Sequence, residues 1–272
     1  MPGKPRILVF DSGMGGLSVA AALHRCVPDA DLCYAADTAA FPYGAWDEPR
    51  LIERICTVVG ALIDKVDPQT VVVACNTAST LALRELRKRF KVAFVGTVPA
   101  IKPAASQTRS GMIGVLATPG TVSREYTRAL VDTYAFHCDV ILHGCEGLAD
   151  LAEQKLRGGA VALGAISREI EPVFVEKAGK RTDVVVLGCT HYPLLLEELQ
   201  KAAPWPCIFI DPSEAIARRA QDILPDALPP QSNIPGNIAF VSSAQGLECA
   251  AAFSRFGFTS TEVIDLPIAT DV

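Results

Sequence analysis

Two cysteines follow apolar runs that read almost alike, and they are the strongest chemical feature of the chain. Cys75 ends the run Val71-Val72-Val73-Ala74, and Cys189 ends the run Val185-Val186-Leu187-Gly188. Short β-rich apolar runs that end in polar residues predict buried strands of a parallel sheet. Functional groups in open α/β sheets lie at the carboxyl ends of such strands. The sequence therefore offers two thiols at equivalent strand ends, as a two-base proton-transfer site requires.

The residues that follow each cysteine favour a reactive thiol. The helix predicted after Cys75 begins near Asn76 and Thr77. A helix N-terminus carries partial positive charge and free N–H groups, so it lowers a thiol pKa and binds carboxylates. Cys189 has a matching setting in Thr190-His191-Tyr192-Pro193, because proline is common in the first turn of a helix. The alternative is that both are buried structural cysteines, as free cysteines often are.

The other seven cysteines are interpreted as structural residues. They are Cys26, Cys33, Cys56, Cys138, Cys145, Cys207 and Cys249. A metal site is not expected, although His137-Cys138 and His143-x-Cys145 carry suitable ligand types. The strand predicted at 139–142 would hold these pairs apart, and their spacing matches no common zinc pattern.

A glycine-rich turn, Asp11-Ser12-Gly13-Met14-Gly15-Gly16, follows the first predicted strand. Its glycines permit a tight turn and a close approach of the backbone. A dinucleotide fingerprint would need a third glycine where Ser18 stands, and an acidic residue occupies the place of the pyrophosphate, so a nicotinamide site is disfavoured. We expect Ser12 and the turn amides to bind a small polar ligand, with Asp11 near the first cysteine. A plain strand-to-helix connection is the alternative.

Three further candidates carry weaker signals. His191 follows Cys189 by two residues, and a structural histidine is the alternative interpretation. The segment Phe41-Pro42-Tyr43-Gly44 predicts a turn whose tyrosine could cap a pocket. Glu153 lies on a helical stretch, where a single carboxylate is ordinarily a solvated residue.

Strand-like and helix-like runs alternate along the chain, which predicts an α/β fold with parallel sheets covered by helices on both faces. Strands are predicted at residues 7–10, 31–35, 70–74, 92–96, 112–116, 139–142, 183–187, 238–242 and 262–266. Helices are predicted at residues 15–26, 48–66, 78–90, 121–133, 163–177, 193–202 and 247–256.

The pattern begins again near Met112, which predicts an internal duplication. Aligning residues 7–13 with 113–119 gives an offset of 106, and aligning the two cysteines gives 114. Chance is the alternative, since α/β units resemble one another at low resolution. The proline-rich segment 225–235 predicts a loop, and too little chain follows it for a third domain. We expect a first domain of residues 1–98 with 210–272 and a second of residues 99–209.

Composition excludes several classes of function. The chain has 272 residues, a net charge of −5 and no clustered basic face, so a nucleic-acid partner is not expected. No apolar run approaches the roughly 20 residues that a membrane span needs, and only four apolar residues precede Asp11, so neither a membrane nor a secretory signal is expected. Nine cysteines without C-x-x-C spacing favour a reducing cytoplasm. Apolar helices would allow a homodimer, but no specific stripe indicates one.

Together the motifs resemble the glutamate racemase family within the aspartate/glutamate racemase superfamily, and they occur in the family's order over nearly the whole chain. They are Asp11-Ser12-Gly13-x-Gly15-Gly16, Pro42-Tyr43-Gly44, Ala74-Cys75-Asn76-Thr77-Ala78-Ser79, Leu116-Ala117-Thr118 with Gly120-Thr121, and Leu187-Gly188-Cys189-Thr190-His191-Tyr192-Pro193. The Pro42-Tyr43-Gly44 turn favours glutamate over the other substrates of the superfamily. A racemase for aspartate or another small amino acid is the nearest alternative.

The resemblance implies two similar α/β domains related by pseudo-twofold symmetry, with an active site at their interface that needs neither cofactor nor metal. It implies that Cys75 is the base toward D-glutamate, assisted by Asp11. It implies that Cys189 is the base toward L-glutamate, assisted by Glu153 and His191. The implied role is the supply of D-glutamate for bacterial peptidoglycan.

The resemblance also implies a set of residues that hold the ammonium and the two carboxylates of glutamate. They are Asp11, Ser12, Pro42, Tyr43, Gly44, Asn76, Thr77, Thr118, Thr121, Thr190 and His191. The sequence departs from the family at Glu146, where a proline is usual, which weakens the alignment toward Glu153. Residues around the tyrosine turn are also atypical: Ala39, Ala40, Trp46 and Asp47. Two other classes stay open, a nicotinamide oxidoreductase and a non-catalytic ligand-binding or thiol redox module.

Overall fold

A computed structural model describes residues 4–224, 234–264 and 266, and every structural statement below refers to these residues. They form two compact units, Met1–Gly96 with Glu214–Val272, and Thr97–Ser213. The loop predicted at 225–235 lies outside the described residues except at its last two positions. No helix in the described ranges is both long and apolar enough to cross a membrane.

The strands alternate with helices, as the α/β prediction requires. The strands are β1 (Arg6–Asp11), β2 (Asp31–Ala36), β3 (Thr70–Val73), β4 (Ala93–Gly96), β5 (Met112–Ala117), β6 (Asp139–Gly144), β7 (Glu176–Lys177), β8 (Lys180–Arg181), β9 (Val184–Leu187), β10 (Ile208–Ile210), β11 (Ile238–Val241) and β12 (Ser260–Val263). The helices are α1 (Leu17–Cys26), α2 (Glu48–Val66), α3 (Asn76–Arg89), α4 (Ile101–Gln107), α5 (Pro119–Val122), α6 (Glu125–Tyr134), α7 (Leu148–Leu156), α8 (Leu163–Ile170), α9 (Leu196–Ala202), α10 (Ser213–Ile223) and α11 (Ala250–Arg255). Short 3₁₀ segments cover Tyr43–Ala45, Glu171–Val173, Tyr192–Leu195 and Ala244–Cys249.

The first unit is built on a six-stranded parallel sheet in the order β12-β11-β2-β1-β3-β4. Its central strand β1 is buried at every residue, as expected for a strand with neighbours on both sides and helices on both faces. Helix α2 turns an apolar stripe toward this core, with buried residues spaced three or four apart. They include Leu51, Ile55, Val58, Val59, Leu62 and Val66.

The second unit contains a four-stranded parallel sheet in the order β10-β9-β5-β6 and a small antiparallel hairpin, β7-β8. Side chains of a strand alternate between the two faces of the sheet. Accordingly Val185 and Leu187 enter one core cluster, while Val184 and Val186 enter another. The uniformly apolar run of β9 therefore packs into two hydrophobic clusters, one on each face of the sheet.

The strand order supports the predicted duplication. The order β2-β1-β3-β4 of the first unit is repeated as β6-β5-β9-β10 in the second. A backbone hydrogen bond is repeated as well, since Ala74 N–H donates to Phe10 O at 2.7 Å and Gly188 N–H donates to Leu116 O at 2.7 Å. These pairs are related by the offsets of 114 and 106 found in the sequence. The residue before each cysteine is therefore bound at an equivalent position of the neighbouring strand, β1 in the first sheet and β5 in the second.

Several predicted helices were wrong in extent. The helix predicted at 121–133 is two helices, α5 and α6. The backbone of Arg124 is extended, and the Thr127 hydroxyl donates a hydrogen bond to the Thr121 carbonyl oxygen at 2.6 Å. The helix predicted at 163–177 ends at Ile170, and Pro172 shapes a 3₁₀ turn before the hairpin. The helices predicted at 193–202 and 247–256 each begin with a 3₁₀ turn. Helices α4 and α10, strand β10 and the hairpin were not predicted.

Candidate active site

The thiol of Cys75 lies at the start of α3, where the sequence predicted it. Its backbone is extended and its sulfur accepts a hydrogen bond from Ala78 N–H at 3.5 Å, so the thiol itself caps the helix. Amide donors and the positive end of the helix dipole both stabilise negative charge on that sulfur. Cys75 is only 6% exposed, and the Ser12 hydroxyl lies 3.7 Å from its sulfur.

The turn after β1 is fixed by the protein's own hydrogen bonds. Asp11 is fully buried, and its carboxylate accepts the Gly13 N–H at 2.6 Å. The Tyr34 hydroxyl donates to Gly13 O at 2.8 Å. A Cβ on Gly16 would lie 3.0 Å from the Cβ atoms of Ala74 and Asp11, so the turn approaches the sheet as closely as glycine allows. This approach brings Ser12 to Cys75.

Asn76 carries an unpaired buried amide in the first unit. Its side chain is buried, yet neither its amide oxygen nor its amide nitrogen has a hydrogen-bond partner in the described part of the chain. An unpaired buried amide is costly, so such groups ordinarily have a partner. Asn76 stands next to Cys75, and its neighbour Thr77 is buried as well. The unpaired amide therefore leaves a donor and an acceptor available beside the thiol.

The predicted turn at Pro42-Tyr43-Gly44 is a 3₁₀ turn in the structure. Tyr43 is buried in the same core cluster as Cys75. Burial and the nearby negative charge of Asp37 hold the pKa of Tyr43 well above its usual range, so its phenol stays protonated. A Cβ on Gly44 would meet no protein atom within 4 Å, which leaves space beside this part of the turn.

The second unit brings Cys189, His191 and Glu153 together. The sulfur of Cys189 lies 3.7 Å from His191 Nδ1, and His191 Nε2 lies 2.9 Å from Glu153 Oε1. All three side chains are buried, and Glu153 also pairs with the exposed Arg157 at 3.2 Å. Since the carboxylate holds one ring nitrogen, the other faces the thiol. The helix α7 supplies this carboxylate, which makes Glu153 a buried functional candidate and not a solvated residue.

The threonine candidates lie in the same unit. Thr118 caps α5, and its hydroxyl lies 2.9 Å from that of the buried Thr121. Thr190 is buried between Cys189 and His191 in the chain. A Cβ on Gly188 would lie 2.9 Å from Leu116 O, so glycine is needed for the loop of Cys189 to pass close to β5.

The polar groups beside the two thiols differ between the units. By the offset of 106, Asp11 of the first unit corresponds to Ala117 of the second, which has no acidic group. The second unit obtains its carboxylate from Glu153, through His191. Equivalent positions in the two units therefore carry a thiol, while the polar groups beside the two thiols differ in kind.

One group of possible metal ligands occurs among the described residues: His143, Cys145 and Glu169, whose ligand atoms lie within 4.8 Å of one another. His137 and Cys138 do not belong to it. Burial raises the pKa of Cys145 to about 12, so its sulfur stays protonated at neutral pH. Its thiol lies 3.7 Å from the Glu169 carbonyl oxygen.

Comparison with known proteins identifies the family. Residues 18–220 match the family model described as Asp/Glu/Hydantoin racemase, which is well over half of the chain. The chain belongs to this racemase family. Members named glutamate racemase from Brucella ovis and Rhizobium meliloti are each 53% identical to it, over 225 and 223 residues. Both alignments cover 82% of this chain, and 81% and 80% of the respective relatives.

Solved structures of racemases from the family share the fold. Escherichia coli glutamate racemase, in complex with L-glutamate and the activator UDP-MurNAc-Ala, has a TM-score of 0.91 and 41% identity, covering 97% of this chain and 99% of its own. A glutamate racemase from Bacillus anthracis has a TM-score of 0.80 and 28% identity, covering 97% and 98%. These likenesses confirm the two-domain α/β fold with parallel sheets.

Sequence reasoning missed one buried group. Asp37, directly after β2, is fully buried and binds Tyr43, Arg54 and Ser242. Its position in the sequence could have revealed it. Asp37 lies at the carboxyl end of β2, the neighbour of β1, just as Asp11 lies at the carboxyl end of β1 itself.

Proposed function

We propose that this racemase interconverts L- and D-glutamate without a cofactor, by a two-base mechanism in which Cys75 and Cys189 are the bases. One observation carries the proposal: each unit presents a buried thiol at the carboxyl end of an equivalent strand, with a polar helper at the sulfur. The high identity to proteins named glutamate racemase supports glutamate as the substrate.

In this scheme the two thiols act on opposite faces of the same Cα. Starting from D-glutamate, the Cys75 thiolate removes the α-proton and becomes a thiol. The Cys189 thiol then gives its proton to the other face of the carbanion and becomes a thiolate. The reverse sequence starts from L-glutamate. A single base would tend to return the proton to the face it came from, which is why two opposed groups suit racemisation.

The helpers are assigned from their contacts. Asp11 and Ser12 assist Cys75, since Ser12 reaches the sulfur and Asp11 fixes the turn that carries Ser12. His191 assists Cys189, because its ring nitrogen faces the sulfur. Glu153 holds the histidine ring and stabilises it when it takes up a proton. A hydrogen-bonded pair of this kind orients a base and tunes its strength.

The α-proton of an amino acid is far less acidic than a thiol, so the site must stabilise the developing carbanion. Preorganised donors and helix N-termini stabilise such charge where water is excluded. In this proposal the ammonium and the two carboxylates are held by polar groups near the two thiols. They are Ser12, the turn of Tyr43 and Gly44, Asn76, Thr77, Thr118, Thr121 and Thr190. The unpaired amide of Asn76 is the group that most needs a ligand.

The activity is tested by following optical rotation of purified protein with L- or D-glutamate, with L-aspartate as the competing substrate. We expect rotation to decay to zero with either enantiomer of glutamate and to persist with aspartate. In heavy water, two exchanging thiols place deuterium in the product at early times while recovered substrate keeps its hydrogen. Early deuterium in the substrate would favour a single base.

The bases are tested by Cys75→Ser and Cys189→Ser, each of which should abolish racemisation while the circular dichroism spectrum is unchanged. Cys207→Ser is the matched control, because that thiol has a pKa raised to about 12 by burial and no assigned helper. Full activity in either of the first two variants would refute the scheme.

We further propose that the product feeds peptidoglycan in the cytoplasm, where thiols stay reduced. Expression should then allow a D-glutamate-requiring bacterium to grow without D-glutamate.

A further inference from the structure

Asp37 is a buried carboxylate that the mechanism above does not use. It directly follows β2, is 0% exposed, and its own N–H donates to Asp11 O at 3.0 Å. A buried charge is costly unless it is paired and hydrogen-bonded. A carboxylate retained at this end of the sheet therefore needs an explanation.

Four donated hydrogens from three segments of the first unit converge on this carboxylate. The Tyr43 hydroxyl donates to Oδ2 at 2.8 Å, and Arg54 Nε donates to the same oxygen at 3.0 Å. Arg54 Nη2 and the Ser242 hydroxyl donate to Oδ1, each at 2.6 Å. The bidentate arginine compensates the charge, and the three donor residues together tie α2, the tyrosine turn and the end of β11 to one point.

The segment between Asp37 and Tyr43 is held from the same side. Ser242 donates to Asp37, and its oxygen also accepts the Ala39 N–H at 2.9 Å. The hydroxyls of Thr38 and Ser243 lie 2.8 Å apart. The loop that leads to the turn is therefore clamped to the end of β11, a strand more than 190 residues away in the chain.

The hydrogen bond also decides what Tyr43 can offer a substrate. A phenol has one hydrogen, and here it is given to Asp37. Burial, followed by the charge of Asp37, keeps the pKa of Tyr43 well above its usual range, so the phenol does not ionise. Tyr43 therefore cannot donate to a substrate carboxylate while this bond is intact, and its contribution comes through the position of its turn.

We propose that Asp37 is a positioning residue of the glutamate site, which fixes the Pro42-Tyr43-Gly44 turn beside Cys75 by gathering Tyr43, Arg54 and Ser242. This inference rests on the proposed function. Asp37 touches no reacting atom in this assignment. Loss of its charge releases Arg54 and lets the turn move, so the substrate is bound less well, while the thiols and their helpers keep their chemistry.

The test compares Asp37→Asn with Asp183→Asn. Asp183 is a matched control, because it also accepts four hydrogen bonds, from Thr108, Arg109 N–H and Ser110, but it lies before β9, at the end of that strand opposite to Cys189. Misplacing a binding group raises KM more than it lowers kcat, so we expect Asp37→Asn to raise KM for glutamate about tenfold with kcat within about threefold. Asp183→Asn should lower the melting temperature and leave KM unchanged.

A double-mutant cycle separates positioning from a merely structural role. If Tyr43 acts through Asp37, the effects of Tyr43→Phe and Asp37→Asn on KM should not add, and the double variant should resemble the worse single variant. If Asp37→Asn does not fold, Ser242→Ala takes its place, with an expected rise in KM of about threefold. An unchanged KM in a folded variant, or additive effects in the cycle, overturns the proposal. A wild-type protein that does not racemise glutamate would instead refute the function on which it rests.

Discussion

Replacing Glu153 by glutamine is the sharpest test of the second thiol site. Its Oε1 lies 2.9 Å from Nε2 of His191, and both residues are at most 4% exposed. Glutamine keeps the shape and removes the charge. A hydrogen bond to a charged group contributes about 1.5 to 3 kcal/mol, and about 1.4 kcal/mol corresponds to a factor of ten. We therefore expect kcat/KM to fall about 10-fold to 150-fold.

Values of kcat/KM measured in the two directions cannot show which thiol a mutation has weakened. L- and D-glutamate are mirror images, so their equilibrium constant is one. Every variant must therefore have the same kcat/KM in both directions, whichever thiol its mutation affects. The assignment of Cys189 to L-glutamate needs a measurement that follows one proton.

Isotope effects supply that measurement. Deuterium at Cα of L-glutamate is removed at Cys189, the step that Glu153→Gln slows, so the isotope effect on kcat/KM from L-glutamate should rise. Deuterium at Cα of D-glutamate is removed at Cys75, a step that no longer limits the rate, so its isotope effect should fall toward one. Asp11→Asn should reverse this pattern if Asp11 assists Cys75.

Arg157→Gln is the matched control. Arg157 binds the other oxygen of the same carboxylate, but its side chain is 55% exposed, and exposed ion pairs contribute at most about 1 kcal/mol. Its effect on kcat/KM should therefore stay below about fivefold. A fall of less than threefold in Glu153→Gln, or isotope effects that remain equal for the two enantiomers, would refute the role assigned to Glu153.

Three further predictions follow from burial and hydrogen bonding. Asn76→Ala removes an unpaired buried amide, so the ligand-free protein should melt no lower than wild type, while glutamate should no longer raise the melting temperature. Gly16→Ala should destabilise the protein by about 1 to 3 kcal/mol in urea, because its Cβ would meet three atoms at 3.0 to 3.1 Å, whereas Gly164→Ala should be neutral or stabilising. Burial alone would raise the pKa of Asp183, but its hydrogen bonds outweigh burial and lower it. Asp183 therefore stabilises the fold above its unfolded pKa of about 3.9, and the deficit of Asp183→Asn in urea should shrink as pH falls through the lower folded value.

The sequence predicts what local patterns determine. The buried strands that lead to Cys75 and Cys189 were predicted because an apolar run between polar turns has few other solutions. Helix α2 was predicted to the residue, since its apolar spacing is regular and Asp47 caps it. The predicted helix at 163–177 was too long because apolar spacing continues past Pro172, where a missing N–H changes the backbone.

What the sequence does not predict depends on contacts between distant residues. The pair of His191 and Glu153 joins positions 38 residues apart, and only the family resemblance suggested it. The hydrogen bond between Ser242 and Asp37 spans 205 residues. No periodicity encodes such pairs, because each partner by itself looks like an ordinary polar residue after a strand or on a helix.

The unequal helpers of the two thiols are compatible with a reaction between mirror images. An equilibrium constant of one requires equal kcat/KM for the two enantiomers, but it does not require equal bases, because both directions cross the same barriers in opposite order. The carboxylate of Asp11 could therefore lack a counterpart at Ala117 without favouring either product. In the proposed mechanism each barrier needs a base, so both units must present a thiol, whereas the groups that assist the two thiols can differ in kind.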